Sequence, residues 1–391
     1  MPSPACDQAI LDAGRCGKAV LKFISPNDVG LTGGHQCGYY LPKAQWAAFT
    51  PQPPQKGVNH DHHVQAVWVQ DGRITDSVVK WYGTGTRSEY RMTHFGRDFP
   101  YLTADRVGSL LILIPERMDR FLMYVFDLED DIEDVQAGLG VQVTGRWAFY
   151  DRDAGASPEG EDDCIDRHFC EFSKALTDFP PTTSFAGEAR QALLDCVNAF
   201  VSKPSDAQLQ LFVEAEYQLF RLVERRVCEP KVLRAFKSVD DFLRTAQTIL
   251  QRRKARAGRS LELHVEYLLR EAKLPFDVRV DVDGTKPDVL IPGKKEYEDP
   301  DFPLEKLFVL GVKTTCKDRW RQVTREAPRV THKHILTLQQ GVSSAQLDEM
   351  RQLNVDLVVP QHLHTDYPPS HRAGILTVEG FISEVRARLR A

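Results

Sequence analysis

Nothing in this sequence approaches the ~18 consecutive apolar residues that a membrane-spanning helix requires. The N-terminal stretch MPSPACDQAILDAGRCGKAV also lacks an apolar core of signal-peptide length, so the expectation is a cytoplasmic chain with no membrane partner. Cysteine is present eight times, at 6, 16, 37, 164, 170, 196, 228 and 316, but never as a CxxC pair. That spacing speaks against a zinc ribbon or a disulfide framework and for mostly reduced thiols. There is no internal repeat and no long low-complexity tract. An excess of positive charge is missing too: the formal net charge is -5, which taken alone argues against a polyanionic partner.

What is present is enough apolar material, 42% of 391 residues, to build two packed cores. From Ala19 to about Thr144 the signals are mostly β. AVLKFIS, GYYLP, VQAVWVQ, SVVKWYG, GSLLILIP, RFLMYVFD and GLGVQVTG are short runs separated by Gly, Pro, Asn and Asp. They predict a small barrel or open β-domain over 1–150. DRDAGASPEGEDD and DFPPTT, lacking sustained periodicity, place a linker at 151–181. Over 182–391 helical patterns come first, in SDAQLQLFVEAEYQLFRLVERR, SVDDFLRTAQTILQRR and SLELHVEYLLREA. The strand-like runs FDVRVDV, DVLIP, KLFVLGVK, HILTLQ and VDLVVP follow, and Ser343 and Gln346 have capping-box spacing. This alternation predicts an α/β domain with a mixed sheet.

Local charge departs from the average. Between Gly311 and His334 stand seven Lys or Arg against Asp318 and Glu326, a local balance of +5 at the end of the apolar run LFVLGVK. In GTKPDVLIP, Gly284 favours a turn and Pro287 cannot donate to a ladder, so Asp288 should stand where a strand begins. Lys313 ends the next strand. Glu326, on a helix expected after Arg319, and Glu262, on the SLELHVEYLL helix, supply two more acids. Carboxylates and an ammonium converging at a basic surface suit phosphodiester hydrolysis: oxygen ligands hold Mg²⁺, and Lys stabilises developing charge. Taken singly the same residues also read as a turn Asp, a solvated strand-end Lys and an ion-pairing Glu. The consecutive Lys317, Asp318 and Arg319 are apt for base reading, since Arg forks onto guanine while Asp accepts from cytosine.

RRKARAGRSLELHVEYLL, KPDVLIPGKKEY, DFPLEKLFVLGVKTTCKDRWRQVTREA and LTLQQGVSSAQLDEMRQLNVDLVVP resemble the catalytic domain of the EcoRII-like restriction endonucleases, a CCNGG/CCWGG-reading branch of the PD-(D/E)XK superfamily. Upstream, SPNDVGLTGGHQCGYYLP resembles that family's B3-like effector-binding β-barrel, so the likeness runs the full length. The resemblance implies a catalytic set of Asp288, Lys313, Glu326 and Glu262, with Mg²⁺ on Asp288 and Glu326. It also implies half-site reading by Lys317, Asp318 and Arg319, with Trp320 as the aromatic that follows them. Tyr217 matches the aromatic on which a flipped central base stacks. The family pattern has an Arg one turn earlier, where this chain has Val213.

In the N-terminal domain the resemblance carries DNA contact onto Lys22, His35 and Tyr40 from one arm and Arg87, Glu89 and Arg91 from another. It implies a homodimer cutting double-stranded DNA to leave 5′ overhangs, stimulated by a second, effector DNA. An N-terminal domain that reads flanking bases of a longer site, and a non-cleaving DNA-binding protein, are the alternatives. Two other clusters stand out. NHDHH at 59–63 reads as a solvated loop, and Cys164, His168 and Cys170 are zinc-ligand types with no fourth ligand at a convincing spacing.

Overall fold

The computed structural model of the chain describes residues 3–32, 37–153 and 164–390. The chain divides into two compact units, one of 1–153 with 339–349 and 363–372, the other of 154–338 with 350–362 and 373–391. Among the described residues no helix is long and apolar enough to cross a membrane.

The first unit opens with α1 (Pro4–Cys16) and carries eight strands: β1 (Lys18–Phe23), β2 (Tyr39–Leu41), β3 (His60–Trp68), β4 (Arg73–Tyr82), β5 (Glu89–Thr93), β6 (Leu110–Arg117), β7 (Arg120–Phe126) and β8 (Ala148–Asp151). They form one sheet in the order β2-β5-β4-β3-β7-β6-β1-β8, antiparallel except for the β3/β7 pair. The run LLILI in β6 is continuously apolar because both faces are covered. Leu111 and Leu113 pack with Trp68, Trp81 and Met123 on one face, while Leu110, Ile112 and Ile114 pack with Ala9, Ala13, Ile132 and Val135 on the other. Ile132 and Val135 belong to α2 (Glu129–Leu139). The strand expected at GLGVQVTG is corrected: the helix takes in its first two residues, Gly138 and Leu139. Gly140, at φ 63°, ends it in a left-handed cap, and no strand forms before β8. The His60–His63 run is likewise not a loop but the start of β3, paired with Trp81 to Val78 of β4.

The second unit begins with α3 (Cys164–Lys174), α4 (Thr182–Cys196), α5 (Ser205–Val232) and α6 (Val239–Glu271). α3 lies within the stretch read as linker; its Phe169 packs in the core with Phe185 and Phe212. α6 is one helix of 33 residues where two were expected. After it come β9 (Asp277–Val278), β10 (Val289–Ile291), α7 (Lys294–Glu298), β11 (Phe308–Lys313), α8 (Trp320–Val323), β12 (Lys333–Thr337), α9 (Ser344–Gln352), β13 (Val355–Val358) and α10 (Val378–Arg390). The sheet is mixed, in the order β13-β12-β11-β10-β9. β11, β12 and β13 are parallel, and β10 is antiparallel to both neighbours. Phe308, Leu310 and Val312 face a core shared with Leu261, Val265, Leu268, Phe381 and Val385, so by the two-residue period Gly311 and Lys313 lie on the opposite face.

Helix ends are tied by side chains, α9 starting in the 339–349 stretch that groups with the first unit. The capping box forms: Gln346 N donates to Ser343 Oγ at 3.3 Å, and Ser343 N to Gln346 Oε1 at 3.4 Å. Two helix starts cap each other. Asp206 of α5 accepts from the backbone of Val378 (2.9 Å), Glu379 (3.1 Å) and Gln361 (3.0 Å), and Glu379 accepts from Ser205 N and Oγ.

Candidate active site

Antiparallel pairing of β10 with β11 sets Val289 opposite Leu310. Asp288, just before β10, therefore comes level with the end of β11. Its Oδ2 accepts from Val312 N at 2.8 Å and from Lys313 Nζ at 2.7 Å. The pair is largely shielded, with side-chain exposures of 11% and 19%, so the contact is made in a medium where charge counts for more than in water. Among the described residues no donor reaches Oδ1.

Glu326 joins them, though not from a helix as expected. α8 is a single turn, Trp320–Val323, and Glu326 lies in the bend beyond it, its N–H donating to Val323 O at 3.1 Å. Its carboxyl pKa is raised by burial and by the Asp288 charge, against the pull of Lys313 and Lys333. Its Oε2 is buried with no hydrogen-bond partner. A buried, unpartnered carboxylate oxygen beside a second acid is a donor set that suits a hard divalent cation, which would relieve both the desolvation and the repulsion. The sequence reading missed Lys333, a β12 side chain that donates to Val330 O (2.8 Å) and Thr324 O (3.3 Å); burial lowers its pKa and the Glu326 charge opposes that. Its position in the basic run was the available signal.

Glu262 is placed otherwise. Its oxygens accept from Arg259 at 2.5 Å and Arg279 at 2.6 Å, so the carboxylate is committed to two guanidiniums. Arg279 N in turn donates to Pro287 O (3.1 Å) and Asp288 O (3.3 Å), linking Glu262 to the strand start through the backbone. These arginines were also missed; the i,i+3 spacing of Arg259 and Glu262 on α6 was a signal for the first, while no spacing rule would have found Arg279.

In the segment after β11, Lys317 is buried while Asp318 and Arg319 are half-buried. Trp320 is fully buried, and Arg321 stacks over its ring at 4.7 Å. Its expected contact with DNA is therefore corrected to a packing role, since a ring with no exposed surface offers no face to a base. Tyr217 is half-buried on α5. Val213 is buried in the core, and the guanidinium of Arg256 lies 5.5 Å from the Tyr217 ring centre.

In the N-terminal unit, Lys22, Tyr40 and Glu89 line one cleft of about 340 Å³ together with Arg146 and Trp147. Tyr40 stacks on Trp147 at 5.5 Å, with the Arg91 guanidinium 5.9 Å from the Tyr40 ring centre, and Arg91 Nε donates to Glu89 at 3.0 Å. Lys22 is buried and donates to both oxygens of Asp28 at 2.8 and 2.7 Å, so its charge is spent inside the protein. Arg87 lies apart, over Tyr82 at 5.3 Å. His35 falls outside the described residues.

A mixed sheet that delivers Asp and Lys to one point, with a second buried acid beside them, is the construction of a restriction-endonuclease-type phosphodiesterase. The family description "EcoRII C terminal" matches residues 220–382, and "Restriction endonuclease EcoRII, N-terminal" matches 17–142. The type II restriction enzyme EcoRII of Escherichia coli is 32% identical over 389 residues, covering 93% of each chain. The chain belongs to the EcoRII restriction endonuclease family and is a DNA-cleaving enzyme of that kind. Two solved structures are similar at a TM-score of 0.45, too loosely to carry an argument. They are metal-depleted Ecl18kI with uncleaved, modified DNA (19% identity, 58% of this chain and 84% of that one) and a PspGI–substrate DNA complex (16%, 54% and 94%).

Proposed function

We propose that this enzyme is a homodimeric, Mg²⁺-dependent type II endonuclease that cuts double-stranded DNA at a CC(N/W)GG-type site and leaves 5′ overhangs. The observation that carries the reading is the 2.7 Å contact of Lys313 with Asp288 beside the unpartnered Oε2 of Glu326. Asp288 and Glu326 are the residues that would hold Mg²⁺, which when bound supplies Lewis-acid charge at the phosphate and a more acidic water. Lys313, held at 2.7 Å by Asp288, places a positive charge where the phosphorane-like oxygens gain negative charge. Glu262 acts at one remove, holding Arg259 and Arg279 beside Asp288. Lys317, Asp318 and Arg319 read the CC/GG half-site, and their position four to six residues after Lys313 ties reading to cutting. Arg256 takes over the support of Tyr217 that an Arg at 213 gives in relatives. Exposed Val239, Phe242, Leu243 and Leu250 along α6 favour a two-fold partner, and one subunit per strand matches a pseudopalindromic site. The N-terminal unit binds a second DNA copy through Tyr40, Arg87, Glu89 and Arg91, and this binding stimulates cutting.

The test is plasmid cleavage with Mg²⁺ by the native chain and Lys313→Ala. The native chain should linearise CCNGG-containing DNA, and the variant should lose at least about 10²-fold in rate, the scale of one transition-state charge donor, while still binding the site in Ca²⁺. No cutting of any CCNGG plasmid by the native chain, with binding intact, would make this a DNA-binding protein instead. Sequencing the ends cut from a random library, with and without short effector duplexes, distinguishes effector stimulation from an N-terminal unit that reads flanking bases.

A further inference from the structure

The sequence left Cys164 and His168 without a convincing set of partners. α3 and α4 pack against each other, and this brings the last residue of α4, Cys196, to the first residue of α3. Cys164, His168 and Cys196 offer ligand atoms that all lie within 4.8 Å of one another, and Cys164 and Cys196 form a disulfide. Cys170 remains free and outside the cluster. A disulfide alone needs no imidazole and no carboxylates, yet three such groups stand here. His168 Nε2 is 3.5 Å from Asp195 Oδ2, and His168 Nδ1 is 3.5 Å from Glu188 Oε1. Gln191 donates to both oxygens of Asp195 at 2.9 Å and fixes its orientation.

We propose that with the cysteine pair reduced, Cys164, Cys196 and His168 supply three ligands of a tetrahedral site for a thiophilic closed-shell cation, zinc foremost, with water in the fourth position. Glu188 accepts from Nδ1–H and holds the ring in the tautomer that leaves Nε2 free, the arrangement common to zinc-bound histidines. Asp195 lies outside the three-ligand cluster, and its carboxylate, 3.5 Å from Nε2, adds negative charge beside the cation. Two thiolates select zinc over the Mg²⁺ of the nuclease site, because soft sulfur ligands bind it poorly. Reaching the site from the disulfide takes two molecules of a small thiol, which leave as their own disulfide while Cys164 and Cys196 each gain a hydrogen. Both protons are then released as the metal binds.

The full-length chain, reduced with a small thiol, is equilibrated with zinc, dialysed and assayed by mass spectrometry for metal. About one equivalent per chain should remain, the stoichiometry of a single site with three protein ligands. Cobalt in place of zinc should give the visible bands of a tetrahedral thiolate complex. Cys196→Ser and His168→Ala should lose at least tenfold in zinc affinity, and Cys170→Ser should not. The same unsubstituted chain with its disulfide intact should retain no zinc, a comparison that does not depend on any variant folding. A reduced chain that keeps no zinc, or an oxidised chain that keeps as much as the reduced one, overturns the site.

Discussion

At the scale of single residues, Glu326 is costly to the fold. Its folded-state pKa lies above the ordinary 4.5, so between the two values the folded chain binds more protons than the unfolded one, and stability falls as pH rises through that window. In the metal-free enzyme Glu326→Gln should therefore raise the melting temperature at neutral pH. The difference should shrink toward zero as pH drops below the ordinary carboxylate range, as read by thermal melts in chelator. The same variant should fail to cleave. Asp288 and Lys313 were legible from sequence because a Pro–Asp at a strand start and a strand-end Lys are local signals. Glu262 was legible as an acid on its helix but not in its partner Arg279, which reaches it from a separate loop. Trp320 was legible as an aromatic beside basic residues, but its burial depends on the packing of a one-turn helix that no periodicity announces.

Among elements, the mutual cap of α5 and α10 concentrates stability in one side chain. Asp206→Ala strips three backbone N–H groups of an ionised acceptor, and urea denaturation should show a loss of about 3 kcal/mol. Asp206→Asn, which keeps an acceptor oxygen, should lose clearly less. Four strands of the second unit, β10 to β13, stood out in sequence because each is a buried apolar run, whereas α2 was not read at all and its last two residues were taken into a strand at GLGVQVTG. The acids Glu129, Asp130 and Asp131 in its first turn were the signal that would have found it, by their favourable position at a helix N-terminus. α6 looked like two helices because only its second half carries a continuous buried stripe.

For the whole molecule, that first half of α6 makes a prediction about assembly. Phe242→Glu with Leu243→Glu places two charges on the exposed apolar face. Sedimentation should show a dimer for the unsubstituted chain and a monomer for the variant, and the variant should nick DNA more slowly and rarely cut both strands. The two-unit organisation was readable from composition, but the grouping of 339–349 and 363–372 with the N-terminal unit was not, because it depends on where the chain returns in space. One close approach bears on how this family diversifies. A Cβ on Gly311 would come within 2.7 Å of Val323 Cγ2, so the strand that ends in Lys313 and the turn that holds Trp320 are pressed together with no room for a methyl group. The six residues between Lys313 and Trp320 are thus a fixed-length bridge anchored at both ends. New target preferences can arise here by exchanging side chains in place, while grafting a longer loop from another nuclease would pry the catalytic strand loose from its own anchor.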